Sequence, residues 1–577
     1  MNTIETDVLI VGAGPAGAAS AVFLGGYGVP NIVISRHRGT ADTPRAHITN
    51  QRAMEALRDA GLERACVQVA SPGDHIAHTF WLKSMAGEEI ARTHAWGNDP
   101  SRMGDYQAGS PCKMCDLPQS KLEPILVTEA TRLGSRVRFS TELVSFEQNG
   151  DGVVAEVSDC LTGDLTSIRA RYMIGADGAR SLVAEQLGLP LVGMEGLGSV
   201  FNVLCEADLE PYVSHRHGSL YSVIQPGSSY WAPVGVFRMV RPWDQWLVGL
   251  IVPMAAGKPE PTLADFEERV RAQIGVPDLP IKILSTSMWT INDIVAEYYS
   301  KGRVFCMGDA VHRHPPTNGL GSNSCIQDAF NLAWKLALVV KGKADPLLLD
   351  SYNAERQPVG RQIVARANKS MLQNNRIWDL LGAGTITEMP EGQHADVFDT
   401  AEGRRTLREE IDRMKYEYHA HGVELNRRYV SGAVITDGAP APDYERDSEL
   451  YYQPQTYPGS YLPHAWLGRR SNSAPVSTLD VAGKGRFMLF TGSGGETWRE
   501  AAAAVSAATG VEIAVTTVGP FLDLEDLYGR WCDLSGIEES GCILVRPDLI
   551  VAWRSAAMAD DPTDRLGEAM SRILGKL

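Results

Sequence analysis

Short apolar runs that stop on glycine-rich turns recur along this chain. "TDVLIVGAG" reads as a buried strand from Val8 to Val11, "AGAASAVFLGGYG" as the helix behind it, and "NIVISR" as a second strand. A βαβ unit of this length predicts a right-handed crossover and a parallel sheet. "RARYMIGADGARS" and "GRVFCMGDAVH" add two more strands with the same kind of ending. Ligands of α/β sheets gather at the carboxyl ends of strands, so three such endings point to one site.

Between about Gly196 and Thr290 the pattern turns β-like and aromatic-rich, in "SLYSVIQPG", "YWAPVGVFRMV" and "QWLVGLIVPM". This predicts an inserted antiparallel sheet able to cover a ligand. From about Asn353 to Arg428 the chain is helical and charged, and "DGAPAPDYERDSELYYQPQTYPGSYLP" reads as a linker. Beyond it, "GRFMLFTG", "EIAVTTVG" and "GCILVRPDLIVAW" are strands, with "TWREAAAAVSAATG" a helix between the first two. A small separate α/β domain is expected there.

Length and charge narrow the class. With 577 residues the chain exceeds one hydrophobic core, so about three domains are expected. A net charge of −16 argues against nucleic acid, whose binding rests on Lys and Arg neutralising phosphates. Nine scattered cysteines fit a reducing, cytoplasmic setting better than a disulfide framework. Cys112 and Cys115 form a lone C-x-x-C with no second pair at zinc spacing, and no metal site is expected. The apolar N-terminal stretch is no membrane span, because Gly12, Gly14, Pro15 and Gly17 break it and Glu5 and Asp7 precede it.

Two motifs carry chemistry. Gly12, Gly14 and Gly17, with Ala16 between them, form G-x-G-x-x-G between a strand and a helix. The first glycine makes the turn, the second admits a pyrophosphate, and the third lets helix pack on strand. The second strand ends on Ser35-Arg36, where an acidic residue would bind a ribose. Arg36 is either a contact to adenine or phosphate, or a solvated surface arginine. The second motif starts from Asp309, a strand-end carboxylate suited to a sugar-like chain. Pro315 and Pro316 then stiffen a loop, Gly319 and Gly321 allow close approach, and a helix begins near Ser322-Asn323. The dipole of that helix favours negative charge, as on the pyrimidine end of a reduced flavin, so FAD is expected rather than NAD.

"GAGPAG", "GADGARS" and "GRVFCMGDAVHRHPPTNGLGSN" resemble the single-component FAD-dependent aromatic hydroxylases of the p-hydroxybenzoate hydroxylase fold. "TPRAHITNQRAMEALRDAGLE", "MCDLPQSKLEPIL", "RMVRPWDQW" and "HGVELNRRYVS" are similar to its phenol-type subgroup. The resemblance implies an α/β fold. A Rossmann-like FAD-binding domain would take 1–75, 105–190 and 291–430. An inserted β-sheet substrate domain would take 76–104 and 191–290, and a thioredoxin-like domain 431–577. It implies that NADPH or NADH reduces FAD and that oxygen adds to flavin carbon 4a as a hydroperoxide. A phenol would then be hydroxylated ortho to its hydroxyl, giving a catechol-type product in aromatic degradation; a chlorophenol or similar substituted phenol is expected.

The same resemblance places His47 and Asp116 at the phenol oxygen, which needs a base before its ring reacts well. It places Arg45 and Gln119 on the flavin and Arg241 on the nicotinamide or on a swung-out flavin. Self-association is implied too. The alternatives are a resorcinol-type or polycyclic hydroxylase of the same family, and a non-catalytic FAD-binding protein. A halogenase would carry W-x-W-x-I-P and a relay lysine, against "MWTIND" here.

Overall fold

The computed structural model describes residues 3–225, 231–257, 259–389, 397–469 and 474–576. The strand Thr3–Val11 is longer than its apolar part predicts, because Thr3 to Thr6 pair in register with Ser167 to Ala170. Its neighbours are the strands Leu165–Gly175 and Asn31–Ile34, both parallel to it, and Val304–Cys306 runs parallel beyond Leu165–Gly175. The three glycine-ended strands of the sequence are therefore consecutive in one sheet, and their carboxyl ends share an edge.

Gly12 shows why glycine is required at that edge. It sits at φ 108°, and a Cβ there would lie 2.1 Å from the carbonyl oxygen of Ala176. At Gly17 a Cβ would lie 1.9 Å from the carbonyl of Gly12, so the helix Pro15–Gly26 can lie this close to its strand only without a side chain. That helix also packs along Gly321–Val340, which brings the N-termini of both helices to the strand ends.

The inserted domain is a seven-stranded sheet in the order 282–290, 199–206, 245–252, 234–241, 220–224, 78–82, 89–94. It is mixed rather than purely antiparallel: Leu220–Ile224 runs parallel to His78–Leu82, because the latter arrives from outside the insertion. The predicted strands 219–227 and 230–240 reach into 226–230, which lie outside the described residues. One face packs on the helix Leu263–Ile274 through Phe80, Phe237, Trp246 and Phe266.

The opposite face looks onto the domain of the parallel sheet. Register lays three rows across it: Trp289–Val200–Ile251–Val234–Ile224, Ser287–Asn202–Gly249–Val236–Ser222–Trp81, and Ser285–Leu204–Leu247–Arg238–Leu220–Thr79. The first row and Trp81 join one apolar cluster with Ile48, Trp96, Met371, Trp378, Met414 and Tyr418. Each large side chain buried there contributes about 1.5–3 kcal/mol. A single hydrogen bond contributes about 1 kcal/mol. Apolar burial therefore holds this cover down.

The long helix Asp350–Leu380 follows, and Pro358 inside it does not end it. The stretch 437–463, expected as a linker, has little regular structure but is no free tether. Leu450, Thr456, Tyr461 and Leu462 are buried, and Arg446 stacks on Tyr451 at 3.6 Å. Its aromatic residues give it the apolar area that a free linker lacks. The C-terminal sheet has the order 513–517, 487–491, 542–545, 551–555, with only its first pair parallel. The helices Glu496–Thr509 and Pro562–Ile573 pack together beside it. This is the βαβ–ββα pattern expected of a thioredoxin-like domain. No helix among the described residues is long and apolar enough to cross a membrane.

Candidate active site

The cradle for a dinucleotide is built at the strand ends. Gly14 caps the helix Pro15–Gly26 with no side-chain hydrogen bond, so the first N–H groups of that helix face outward. A Cβ on Gly14 would meet nothing nearer than Glu123 Oε1 at 3.9 Å, leaving the approach open, while Ala16 is buried behind it. Arg36 is exposed just past Asn31–Ile34. Asp309 follows Val304–Cys306 and is exposed, and its carboxylate makes no hydrogen bond to the described residues while its backbone oxygen receives Arg313 Nε at 3.0 Å. Pro316 is exposed, and Gly319 (φ 60°) lies over Ile48 and Trp96. The helix Gly321–Val340 also begins without a side-chain cap, at Gly321 and Ser322, which stay partly open. Two uncapped helix ends, a strand-end carboxylate and glycine-lined approaches suit a pyrophosphate, a polyol chain and an electron-rich ring. The residues present fit FAD.

His47 and Asp116 come together through a backbone ladder. Ile48–Thr49 pairs antiparallel with Cys115–Asp116, Leu117 N–H donates to the His47 carbonyl at 2.5 Å, and Gln119 N–H donates to that of Ala46 at 2.7 Å. His47 Nδ1 then lies 2.8 Å from Asp116 Oδ2, with the residues 8% and 0% exposed. A carboxylate only accepts, so the proton sits on Nδ1 and leaves Nε2 as an acceptor. Burial, and then the charge of Arg238, push the His47 pKa down to about 4, against the opposing pull of Asp116. Asn323 locks this pair to the flavin side: its Oδ1 receives Asn50 N–H at 2.9 Å and its Nδ2 donates to the Ile48 carbonyl at 2.8 Å.

The remaining expected residues fall in different places. Arg45 is exposed, and its backbone oxygen receives Arg238 Nη1 at 2.5 Å. Gln119 donates Nε2 to Glu123 Oε1 at 2.6 Å, and Glu123 Oε2 receives Ala41 N–H, so Gln119 braces the loop beside Gly14. Arg241 stands apart from the group: it is exposed at the strand end, 2.6 Å from Asp244 and 3.6 Å from Glu206. His312 bonds Asp328 at 3.0 Å and His314 Nδ1 donates to the Pro315 carbonyl at 2.6 Å. Cys112 and Cys115 are buried thiols whose pKa burial pushes up.

Sequence reasoning missed Arg238. The available signal was parity: in "VGVFRMV" it shares a face with Val234 and Val236, and a lone cation on an apolar stripe has a reason to be there.

The family described as FAD binding domain matches residues 5–367, and that described as aromatic-ring hydroxylase, C-terminal matches 455–576. The chain is 48% identical over 581 residues to 2,4-dichlorophenol 6-monooxygenase of Delftia acidovorans, covering 99% of each chain. It is 44% identical to phenol 2-monooxygenase of Pseudomonas sp. (strain EST1001), covering 99% of this chain and 93% of that one. Among solved structures, flavin-dependent monooxygenase PieE in complex with FAD and substrate is 45% identical, with a TM-score of 0.94 and full coverage of both chains. The two family matches follow one another along the chain and the likeness to these enzymes runs from end to end, so the chain belongs to the FAD-dependent aromatic-ring hydroxylases, a family of flavoprotein monooxygenases.

Proposed function

We propose that this monooxygenase hydroxylates a phenol ortho to its hydroxyl, giving a catechol-type product, with NAD(P)H and O2 as co-substrates. A chlorophenol or similarly substituted phenol is the proposed substrate. The observation that carries the reading is the 2.8 Å contact of buried His47 with Asp116, which leaves Nε2 free to accept a phenol proton. FAD, held by Gly12, Gly14, Ala16, Gly17, Arg36, Arg45, Gln119, Asp309, Pro316, Gly319, Gly321, Ser322 and Asn323, supplies the activation of O2 for transfer of one oxygen atom.

The chain's own part is proton handling, orientation and exclusion of water. The phenol oxygen meets His47 Nε2, and its proton moves to that nitrogen as the ring becomes electron-rich. Asp116 stabilises the imidazolium and fixes the tautomer. The row Asn202–Gly249–Val236–Ser222 lies over the ring, flanked by the apolar row that keeps water out. Gly249 leaves depth there, since even a Cβ would come no nearer than 3.5 Å to a neighbour, Val200. The free thiols support a reducing, cytoplasmic compartment, and self-association is proposed.

The test is a panel of substituted phenols, measuring O2 uptake, NAD(P)H oxidation and catechol together. Catechol formed in proportion to O2 with at least one phenol is expected. Oxidation of NAD(P)H that yields only hydrogen peroxide across the panel would overturn the substrate class, and no stimulation by any phenol would overturn the reading altogether.

A further inference from the structure

Arg238 lies on the cover row Leu247–Arg238–Leu220, facing the FAD-binding domain. Nη1 donates to the Arg45 carbonyl, which ties the cover to the segment carrying His47. Part of the side chain is accessible, but Nε and Nη2 are sealed from solvent and have no hydrogen-bond partner. Asp116 Oδ1, the oxygen not used by His47, is sealed and unpartnered as well. Arg52, Arg356 and Arg546, also buried, each have a carboxylate oxygen within 2.6–2.9 Å, whereas Arg216 and Arg427 donate to carbonyl or amide oxygens. Among the described residues Arg238 has no ion pair.

An unneutralised cation beside a neutral histidine opposes protonation of that histidine. The charged groups acting on His47 are Arg238 on the cover strand and Asp116 on the ladder strand, and they act in opposite senses. Burial is the larger cause of the lowering, and Arg238 adds to it.

We propose that Arg238 is a positioning residue for the hydroxylation: its charge, which forms no ion pair, helps burial to keep His47 unprotonated, so that Nε2 is open to the substrate's proton before the substrate arrives. The inference rests on the proposed role of His47 as base. Asp116, pulling the other way, stabilises the proton once it has been transferred.

The experiment follows the His47 ring directly, by carbon-13 NMR of the FAD-loaded enzyme labelled at histidine Cε1, with the signal assigned from His47→Asn. In the parent enzyme His47 is expected to stay neutral down to about pH 4. In Arg238→Met, which keeps length and loses charge, the midpoint is expected to rise by about 1–3 pH units. The acid limb of kcat/KM for a phenol should move up with it, and Arg238→Lys should restore both. A purely structural Arg238 would lower turnover at every pH without moving the His47 midpoint, and an unchanged midpoint in Arg238→Met overturns the proposal. If the midpoint moves while His47→Asn still turns over normally, the electrostatic coupling stands and the base assignment falls. Should Arg238→Met fold poorly, Arg238→Gln and Arg238→Lys provide the same comparison.

Discussion

Two buried polar clusters lie at opposite ends of the helix Gly321–Val340, and they are finished differently. At the junction with the C-terminal domain, Glu355 receives Lys335 at 2.8 Å and Arg546 through both oxygens at 2.6 and 2.8 Å. Asp548 receives Arg546 at 2.9 and 2.6 Å, and Asn331 donates to both carboxylates. At the ring site His47 has one partner, Asp116 keeps one bare oxygen, and Arg238 keeps two bare N–H groups. Charge that the chain itself pairs is scaffold, because each ion offsets the desolvation of the other. Charge that the chain leaves unpaired, in a wall beside a cofactor cradle, acts on whatever is chemically active there.

Breaking the scaffold cluster should have the largest effect. Glu355→Ala leaves Lys335 buried without its carboxylate and Arg546 with Asp548 alone, and removing one member of a buried ion pair costs about 3–5 kcal/mol. Thermal unfolding should shift strongly downward and the two domains should lose their joint transition. A Tm close to the parent's would show that the junction is not a scaffold.

His47→Ala should do the reverse. Turnover with a phenol should fall by about 10²–10⁴-fold while the Tm and the bound flavin spectrum hardly change. Asp309→Ala sharpens the contrast from the cofactor side: the purified variant should be largely colourless yet folded by circular dichroism. A fully yellow Asp309→Ala enzyme would remove that carboxylate from the cradle.

The smallest effect is on pH dependence. Burial lowers His421, which bonds Gln51 at 2.8 Å, to about 3, and lowers His464 and His419 to about 4. The unfolded chain binds those protons near pH 6.5, so stability is lost as pH falls from about 6.5 towards 4. Glu424 runs the other way, since burial raises it to about 8 and its contribution is lost as pH rises through that value. Titrating the Tm of His421→Gln should show a shallower acid loss than the parent, and Glu424→Gln a shallower loss as pH rises from about 4.5 to about 8. Parallel curves would contradict both assignments.

The fingerprint was readable in the sequence, because the turn at Gly12 (φ 108°) and the contact of Gly17 with the Gly12 carbonyl are set within a few residues of chain, although Gly12 also lies against distant Ala176. The same holds for the glycine-ended strands and for the loop from Asp309 to Asn323, whose chemistry is local. The short sequence signals failed where distant partners intervened. The stretch 437–463 looked like a tether, since nothing in it shows that Arg446 and Arg102 will stack on Tyr451.

Sequence alone thus determined which segments form strands and helices, and where glycines leave the strand ends open, since backbone freedom and apolar spacing are properties of neighbours along the chain. Only the tertiary structure decided which charges face one another. His47 and Asp116 are 69 positions apart and meet through a two-residue ladder. Arg238 reaches the Arg45 carbonyl across 193 positions, while Arg241, three residues on and beyond the irregularity after Met239, turns to solvent. Sheet register, set by the pairing of whole strands, chose between those two arginines, and the electrostatics around His47 follow from that choice.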